Sequence, residues 1–425
     1  MGELTTKLLK AIKDTQTETE KYQKFCLFVF IIASLANLML TAGRFCFSAI
    51  LKPLAADLAI SRAVASGILS LVMITYAFFS PVAGYLSDRY GFRRVVLAGS
   101  LVAFSGMLLS SSAQDVWQLY FFYGVLFGAG SATFYSVPLA EVRKWFVFRS
   151  GLILALVSCA GAVGIWIGPP LADWLVRLAG WRTAFLVIGI LGMALLAPTA
   201  YFLKVPGIVA SQKGSGDNKE DLEKKSCDQA YNASLSLQEA FRTLQFWLLS
   251  LSYGSFGIGQ FIILVHTLAY ATDQGISSTH AAFTVGMLGA IGIPSRLLVG
   301  LWADYQGRRI PLIILGFVQV AALLFLLPLQ SLWQLWAFVF VFGFCYGGML
   351  SQFAGLLGDI FGPRELASIY GLQTFFIGLT GALGSWLGGF IFDLTGTYYW
   401  AYVIAMISLL VSAIGIAGGS RRLVK

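Results

Sequence analysis

Charge is scarce in this chain: Asp, Glu, Lys and Arg make up 12% of its 425 residues, about half the share usual in soluble domains. Histidine is scarcer still, with only His266 and His280. The five cysteines are dispersed with no short paired spacing, which argues against a disulfide framework, a metal site or a redox centre. A glycine-rich phosphate loop is missing, so direct drive by ATP is not expected. No local motif assembles a Ser/His/Asp or Cys/His set, and an enzyme reading finds no support. Alternating strands of about 10 residues, the mark of a membrane barrel, are absent too.

What the chain has instead is apolar blocks. Hydrophobic residues are 58% of it, gathered in runs of about 20, the length of a helix that crosses a ~30 Å hydrocarbon core. Twelve blocks stand between charged or turn-rich breaks: 25–50, 65–86, 95–113, 117–140, 150–172, 182–203, 244–271, 280–302, 310–328, 333–357, 367–391 and 399–418. The expected fold is an all-α membrane protein of twelve helices. Residues 25–203 would form one six-helix bundle and 241–418 the other, joined by a polar linker over 204–240. The polar tails 1–24 and 419–425 complete the layout, and no cleavable signal peptide is expected.

Orientation follows from the cations. With the N-terminus inside, 23 of the 29 Lys and Arg fall in cytoplasmic segments, as the positive-inside rule expects. Lys52, Arg62, Arg177 and Arg182 fall outside, and Arg44 and Arg296 fall within spans. Both termini are therefore expected in the cytoplasm, and the compact tails suit a bacterial inner membrane. The net charge of +9 reflects this bias together with contact to anionic lipid, not nucleic-acid binding.

The two halves echo each other. GYLSDRYGFRR (84–94) follows the second block and GLWADYQGRR (300–309) follows the eighth; GWRTAFLVIG (180–189) and GTYYWAYVIA (396–405) open the sixth and twelfth. In the first motif Asp88 sits beside Arg89, Arg93 and Arg94; in the second, Asp304 precedes Arg308 and Arg309. Such a breakable charge network at a helix end can lock one conformation. Repeated halves are how alternating-access carriers are commonly built, with the binding site near the midplane.

Few residues carry chemistry inside the spans. Arg296, in GIPSRLLVG, lies eight residues before Asp304, about 12 Å from the end of the helix. An Arg at that depth is a functional site by default, and its guanidinium grips a carboxylate with two prongs. Snorkelling or pairing with Asp359 is the alternative. Arg44 lies in the outer third of the first span, either in the cavity or reaching the headgroups. His266 and Asp273 are seven residues apart and share a helix face with Tyr270. His266 is a candidate for substrate contact or proton coupling. Asp273 is a candidate proton site that would pair with Arg44 when the outer side closes. Tyr135, Tyr346 and Phe375 are candidate cavity walls.

The doubled loop, the six-plus-six layout and the central linker resemble the major facilitator superfamily. GRFCFSAILKPLAADLAISRAVAS (43–66), WFVFRSGLILALVSCAGAVG (145–164), HTLAYATDQGIS (266–277) and GDIFGPRELASIYGLQ (358–373) resemble its monocarboxylate transporter branch. The same stretches resemble the related oxalate–formate exchangers. The resemblance implies that Arg296 binds a substrate carboxylate, that Arg44 is the nearest match to a basic residue on the first helix, and that Tyr135 matches a tyrosine of bacterial members. Two departures stand out. Animal carriers of the branch place an acid where Gly292 stands, and the exchangers a lysine where Ile377 stands. The expected function is proton-coupled symport of a small monocarboxylate anion of the lactate or pyruvate class, driven by the proton gradient without a cofactor or an obligate protein partner. An anion exchanger and a non-transporting carboxylate sensor are the alternatives.

Overall fold

The computed structural model describes residues 26–135, 137–138, 141–142, 150–202, 235–362 and 366–420, with the backbone alone at 88, 150–155, 199–202, 354 and 366–368. The expected tail 1–24, most of the linker and residues 421–425 lie outside the described residues. The Asp88 side chain does as well.

Ten helices among the described residues are long and apolar enough to span a membrane. One of them holds two crossings. We label the helices α1 (Cys26–Asp57), α2 (Arg62–Tyr90), α3 (Phe92–Ser110), α4 (116–131), α5 (150–178) and α6 (181–202). The second bundle comprises α7 (Leu244–Asp273), α8 (Ser278–Gln306), α9 (Arg309–Leu326), α10 (Leu332–Phe361), α11 (Leu366–Thr395) and α12 (Tyr399–Gly419). The twelve crossings form two six-helix bundles.

Several bounds differ from expectation. The fifth helix runs beyond 172, because Asp173 and Arg177 pair one turn apart at 3.0 Å and carry the winding onward. It turns into α6 only at Ala179 and Gly180, where Gly180 takes φ 85°. α4 ends at 131 rather than 140 and is wound as a π-helix over Tyr120–Phe127. α1 continues past 50 to Asp57, with Cys46 as its one turn residue. The linker's last residues form a helical turn, Leu237–Phe241, closed by a capping box between Ser236 and Glu239. Leu235 ties that turn to α10 through Phe361 O at 2.9 Å.

The doubled loop is visible as doubled geometry. Gly91 (φ 89°) separates α2 from α3, and Gly307 (φ 79°) separates α8 from α9. Both positions demand the left-handed region that glycine reaches without cost.

The halves meet where α2 packs on α11 and α5 on α8, with α1 against α7. These contacts are close because glycine removes the side chain that would hold the helices apart. A Cβ on Gly289 would lie 2.2 Å from Ala162 O, and one on Gly389 would lie 2.5 Å from Arg62 O. Ser70 donates to Ala382 O at 2.7 Å and Ser385 to Ser66 O at 3.3 Å across the same seam. Among the described residues, these bonds and the ion pairs of Asp273 with Lys52 and Arg62 seal the seam at the Asp57 end of the molecule.

Gly289→Leu inserts a branched side chain where two backbones touch. Its expected outcome is a folded protein whose Asp57 end cannot close, read as at least tenfold faster maleimide labelling of a cysteine placed at Ser66 in a cysteine-free background. A twofold change or less would mean that the α5–α8 contact does not hold the seal.

Candidate functional site

Arg296 is placed by three neighbouring residues of α8. Pro294 lacks an N–H, so the carbonyl of Ala290 loses its helical partner. Gly292 lets α10 approach so closely that a Cβ on Gly347 would stand 2.5 Å from the Gly292 Cα. Ser295 donates to the Phe344 carbonyl and fixes the rotation of the helix. Arg296, at 9% exposure, is thereby turned toward the other half. Its Nη1 donates to the Ser158 carbonyl and, at 2.7 Å, to Ser158 Oγ. Its Nε is buried with no acceptor. Asp359, the alternative partner in the sequence, is taken instead by Arg308 at 2.6 Å.

Tyrosines surround this cation. Tyr135 shares a hydrogen bond with Tyr370 of α11 and lies within electrostatic reach of Arg296. Tyr346 of α10 lies within reach of both Arg296 and Arg44 and stacks on Phe256 at 6.5 Å. Phe375 meets Phe78 of α2 edge-on at 5.5 Å, closing the wall between the halves. The three expected wall residues therefore lie on surfaces that adjoin the other half.

Arg44 does not pair with Asp273. Its guanidinium sits over the Tyr76 ring, 4.5 Å from the centroid, and its Nε and Nη2 are buried without acceptors. It lies inside the bundle among the phenols of Tyr76, Tyr123 and Tyr346.

Asp273 belongs to the sealed end. It accepts from Lys52 at 2.6 Å and from Arg62 at 2.5 Å. The Arg62 guanidinium lies 3.7 Å above the Phe392 ring and donates to the Tyr398 hydroxyl at 3.1 Å. Asp393 of α11 caps the start of α2, accepting from Arg62 N at 3.0 Å and Ala63 N at 2.7 Å. A carboxylate at a helix N-terminus meets both the idle N–H groups and the positive end of the dipole.

His266 joins the sealed end as well, away from Arg296. It is fully buried against Gly388. Its Nε2 is 2.8 Å from Ser385 O, and a carbonyl can only accept, so Nε2 carries a proton. Nδ1 is 3.3 Å from the Tyr398 hydroxyl. A relay thus runs from Asp273 through Arg62 and Tyr398 to His266. Lys52, Arg62 and Tyr398 entered the sequence reading only as loop cations and part of a repeat. Lys52 and Arg62 meet Asp273 across more than 200 residues, and Tyr398 joins through Arg62, so none of these contacts leaves a local signal.

At the opposite end the doubled motif is partly engaged. Arg308 holds Asp359 and covers Gly355, and Arg309 donates to Ala417 O at 3.0 Å. Asp304 is exposed; the ion pair expected at the second copy falls on Asp359 instead. Arg89 donates to Tyr85 Oη at 3.3 Å, Arg93 is half-buried and Arg94 exposed.

Comparison with known proteins accords with this architecture. The family model described as Major Facilitator Superfamily matches residues 33–331 and 297–419. Monocarboxylate transporter 1 of Bos taurus is 28% identical over 82% of this chain and 75% of its own. Monocarboxylate transporter 12 of Rattus norvegicus is 26% identical over 79% and 73%. The uncharacterized MFS-type transporter YcxA of Bacillus subtilis is 25% identical over 91% and 92%. Among solved structures, a bacterial homologue of the human lysosomal transporter Spinster, inward-facing and unoccupied, superposes with a TM-score of 0.75 at 15% identity, covering 93% of this chain and 97% of that one. Family match, twelve crossings and a sealed seam above a buried cation agree: the chain belongs to the major facilitator superfamily and is an integral membrane carrier, not an enzyme.

Proposed function

We propose that this carrier moves small monocarboxylates of the lactate or pyruvate class together with protons, by alternating access. The observation that carries the reading is Arg296. It is a buried guanidinium whose hydrogen-bond partner among the described residues, Ser158, is neutral, and its Nε has no acceptor. A charge held that way in low dielectric costs several kcal/mol, and an arriving carboxylate removes that cost. Ser158 occupies the guanidinium until then and gives way to the substrate. Tyr135 and Tyr346 complete the polar end, and Phe375 accepts the short hydrocarbon tail. The names of the curated relatives support the substrate class.

With both termini in the cytoplasm of a bacterial inner membrane, the Asp57 end faces outward and the described conformation is closed to the outside. Asp273 carries the proton. As a carboxylate it holds Lys52 and Arg62 together; as an acid it loses that grip and the outer end opens. His266 acts through Tyr398 on the same seam rather than on the substrate. One proton and one monoanion make an electroneutral cycle, and the proton gradient takes the place of a cofactor.

Labelled lactate uptake into proteoliposomes tests this. An imposed inward proton gradient is expected to raise initial uptake at least fivefold, with no requirement for internal anion. Uptake indifferent to the gradient but dependent on internal anion would establish exchange instead. Binding without flux would mark a sensor.

A further inference from the structure

The proposed transport path leaves one cavity of the first bundle unused. It measures about 410 Å3 and lies between Val82 and Leu86 of α2, Ala98 and Val102 of α3, and Ala129 and Gly130 of α4. The α4 floor is closed, because Gly130 admits α3 so tightly that a Cβ there would stand 2.4 Å from Ala103 N. The other side is open, with Phe79, Val82 and Val102 all exposed. α3 packs on α2, α4 and the α5–α6 pair, so that open side looks away from the second bundle and toward lipid. From Phe79 to Tyr90 the groove follows eleven residues of α2. That is about 16 Å, or one leaflet of a ~30 Å hydrocarbon core.

Unspent polar groups stand at one end of the groove only, beside the turn at Gly91. Thr133, midway along, is spent on Gly130 O at 2.9 Å. Arg94 is exposed at the end, and neither its guanidinium nor the Tyr90 hydroxyl has a hydrogen bond or ion pair among the described residues. The doubled motif does not account for Arg94. It stands third after Gly91, and the residue third after Gly307 is Ile310.

We propose that this groove binds one anionic phospholipid of the inner leaflet, with an acyl chain between α2 and α3 and the headgroup phosphate on Arg94 and Tyr90. An apolar slot one leaflet long with a cation at its headgroup end matches that molecule in both shape and charge. A guanidinium grips phosphate oxygens in pairs, and a side chain of that length reaches the headgroups from a helix end. A zwitterionic lipid would bring its own cation beside Arg94, whereas an anionic one brings a net charge to meet it.

Native mass spectrometry of purified full-length protein tests this, with phosphatidylglycerol and phosphatidylcholine of identical chains at equal concentration. Wild type is expected to retain one phosphatidylglycerol about tenfold more often than phosphatidylcholine, the effect of one charged hydrogen bond. Arg94→Gln is expected to bring that ratio close to one while either lipid still enters the groove. Ala98→Trp, at an exposed position, fills the groove and lowers retention of both lipids about fivefold or more. Arg242→Gln removes another exposed cation and is expected to leave the preference unchanged, which separates a site from diffuse attraction to a basic surface. Equal retention in wild type, or a preference that falls as far with Arg242→Gln as with Arg94→Gln, would overturn the inference. So would displacement of phosphatidylglycerol by soluble glycerol 3-phosphate, or full retention in Ala98→Trp, since the groove would then contribute nothing.

Discussion

Replacing Arg296 with Gln weakens carboxylate binding by roughly 30-fold or more and abolishes lactate uptake. The figure follows from truncating one partner of a buried, hydrogen-bonded charge pair, which costs about 2–5 kcal/mol. Gln ends where Arg has its Nε, so the Nη1 contacts to Ser158 are lost, while the glycine contacts that pack α8 against α5 remain. What goes is the charge and the second prong. Arg296→Lys restores the charge as a single point and recovers only part of the loss. Stability is expected to move the other way. In the empty carrier the guanidinium is buried with a neutral partner and an idle Nε, so removing it relieves a penalty and raises the melting temperature. Lost binding with a raised melting temperature separates a functional cation from a structural one. A variant that loses both would mean that Arg296 holds the bundle together, and uptake near the wild-type rate would remove the anchor altogether.

The twelve crossings were legible because each apolar run is long enough to span and each break is charged or turn-rich. Legibility ended where those signals did. The break between 172 and 182 was read, but not that its turn waits until Gly180, because the helix before it is carried on by its own Asp173–Arg177 pair. Arg296 could be found from depth alone, because lipid makes a buried guanidinium costly wherever it sits. Its direction could not, since Ser158 lies 138 residues away. Asp273 was recognised as a helix-end acid and given the wrong partner. Arg44 is the intramembrane cation nearest in depth, whereas Lys52 and Arg62 read from sequence as cations of the outer loops. The sealed end is built from just such residues, because helix ends are where two halves can touch and part. His266 shows the same limit: spacing placed it on the face of Asp273, correctly, but only the packing of Gly388 shows that this face meets α11 and not the cavity.

Asp273→Asn is expected to open the sealed end and to cut the dependence of uptake on the proton gradient at the same time. The carboxylate is all that the described contacts set between the Lys52 and Arg62 cations, so its neutral form leaves two like charges facing each other. Lys52, at 39% side-chain exposure, contributes little, as solvated pairs do. Arg62, at 15%, is bound on Phe392 and Tyr398 and carries most of the effect. Losing a charged hydrogen bond there, worth about 1.5 kcal/mol, shifts the closed-to-open equilibrium about tenfold. A cysteine at Ser66, buried in the seam, reports it as tenfold faster labelling by an impermeant maleimide. Arg62→Gln distinguishes the seal from the proton site. It removes the same bond and speeds labelling to a similar degree, but leaves Asp273 able to titrate, so gradient dependence is retained. If Arg62→Gln also loses that dependence, Asp273 works only as a strut and the proton rides elsewhere. If Asp273→Asn keeps it, the same conclusion holds, and His266, tied to the seam through Tyr398, becomes the group to replace.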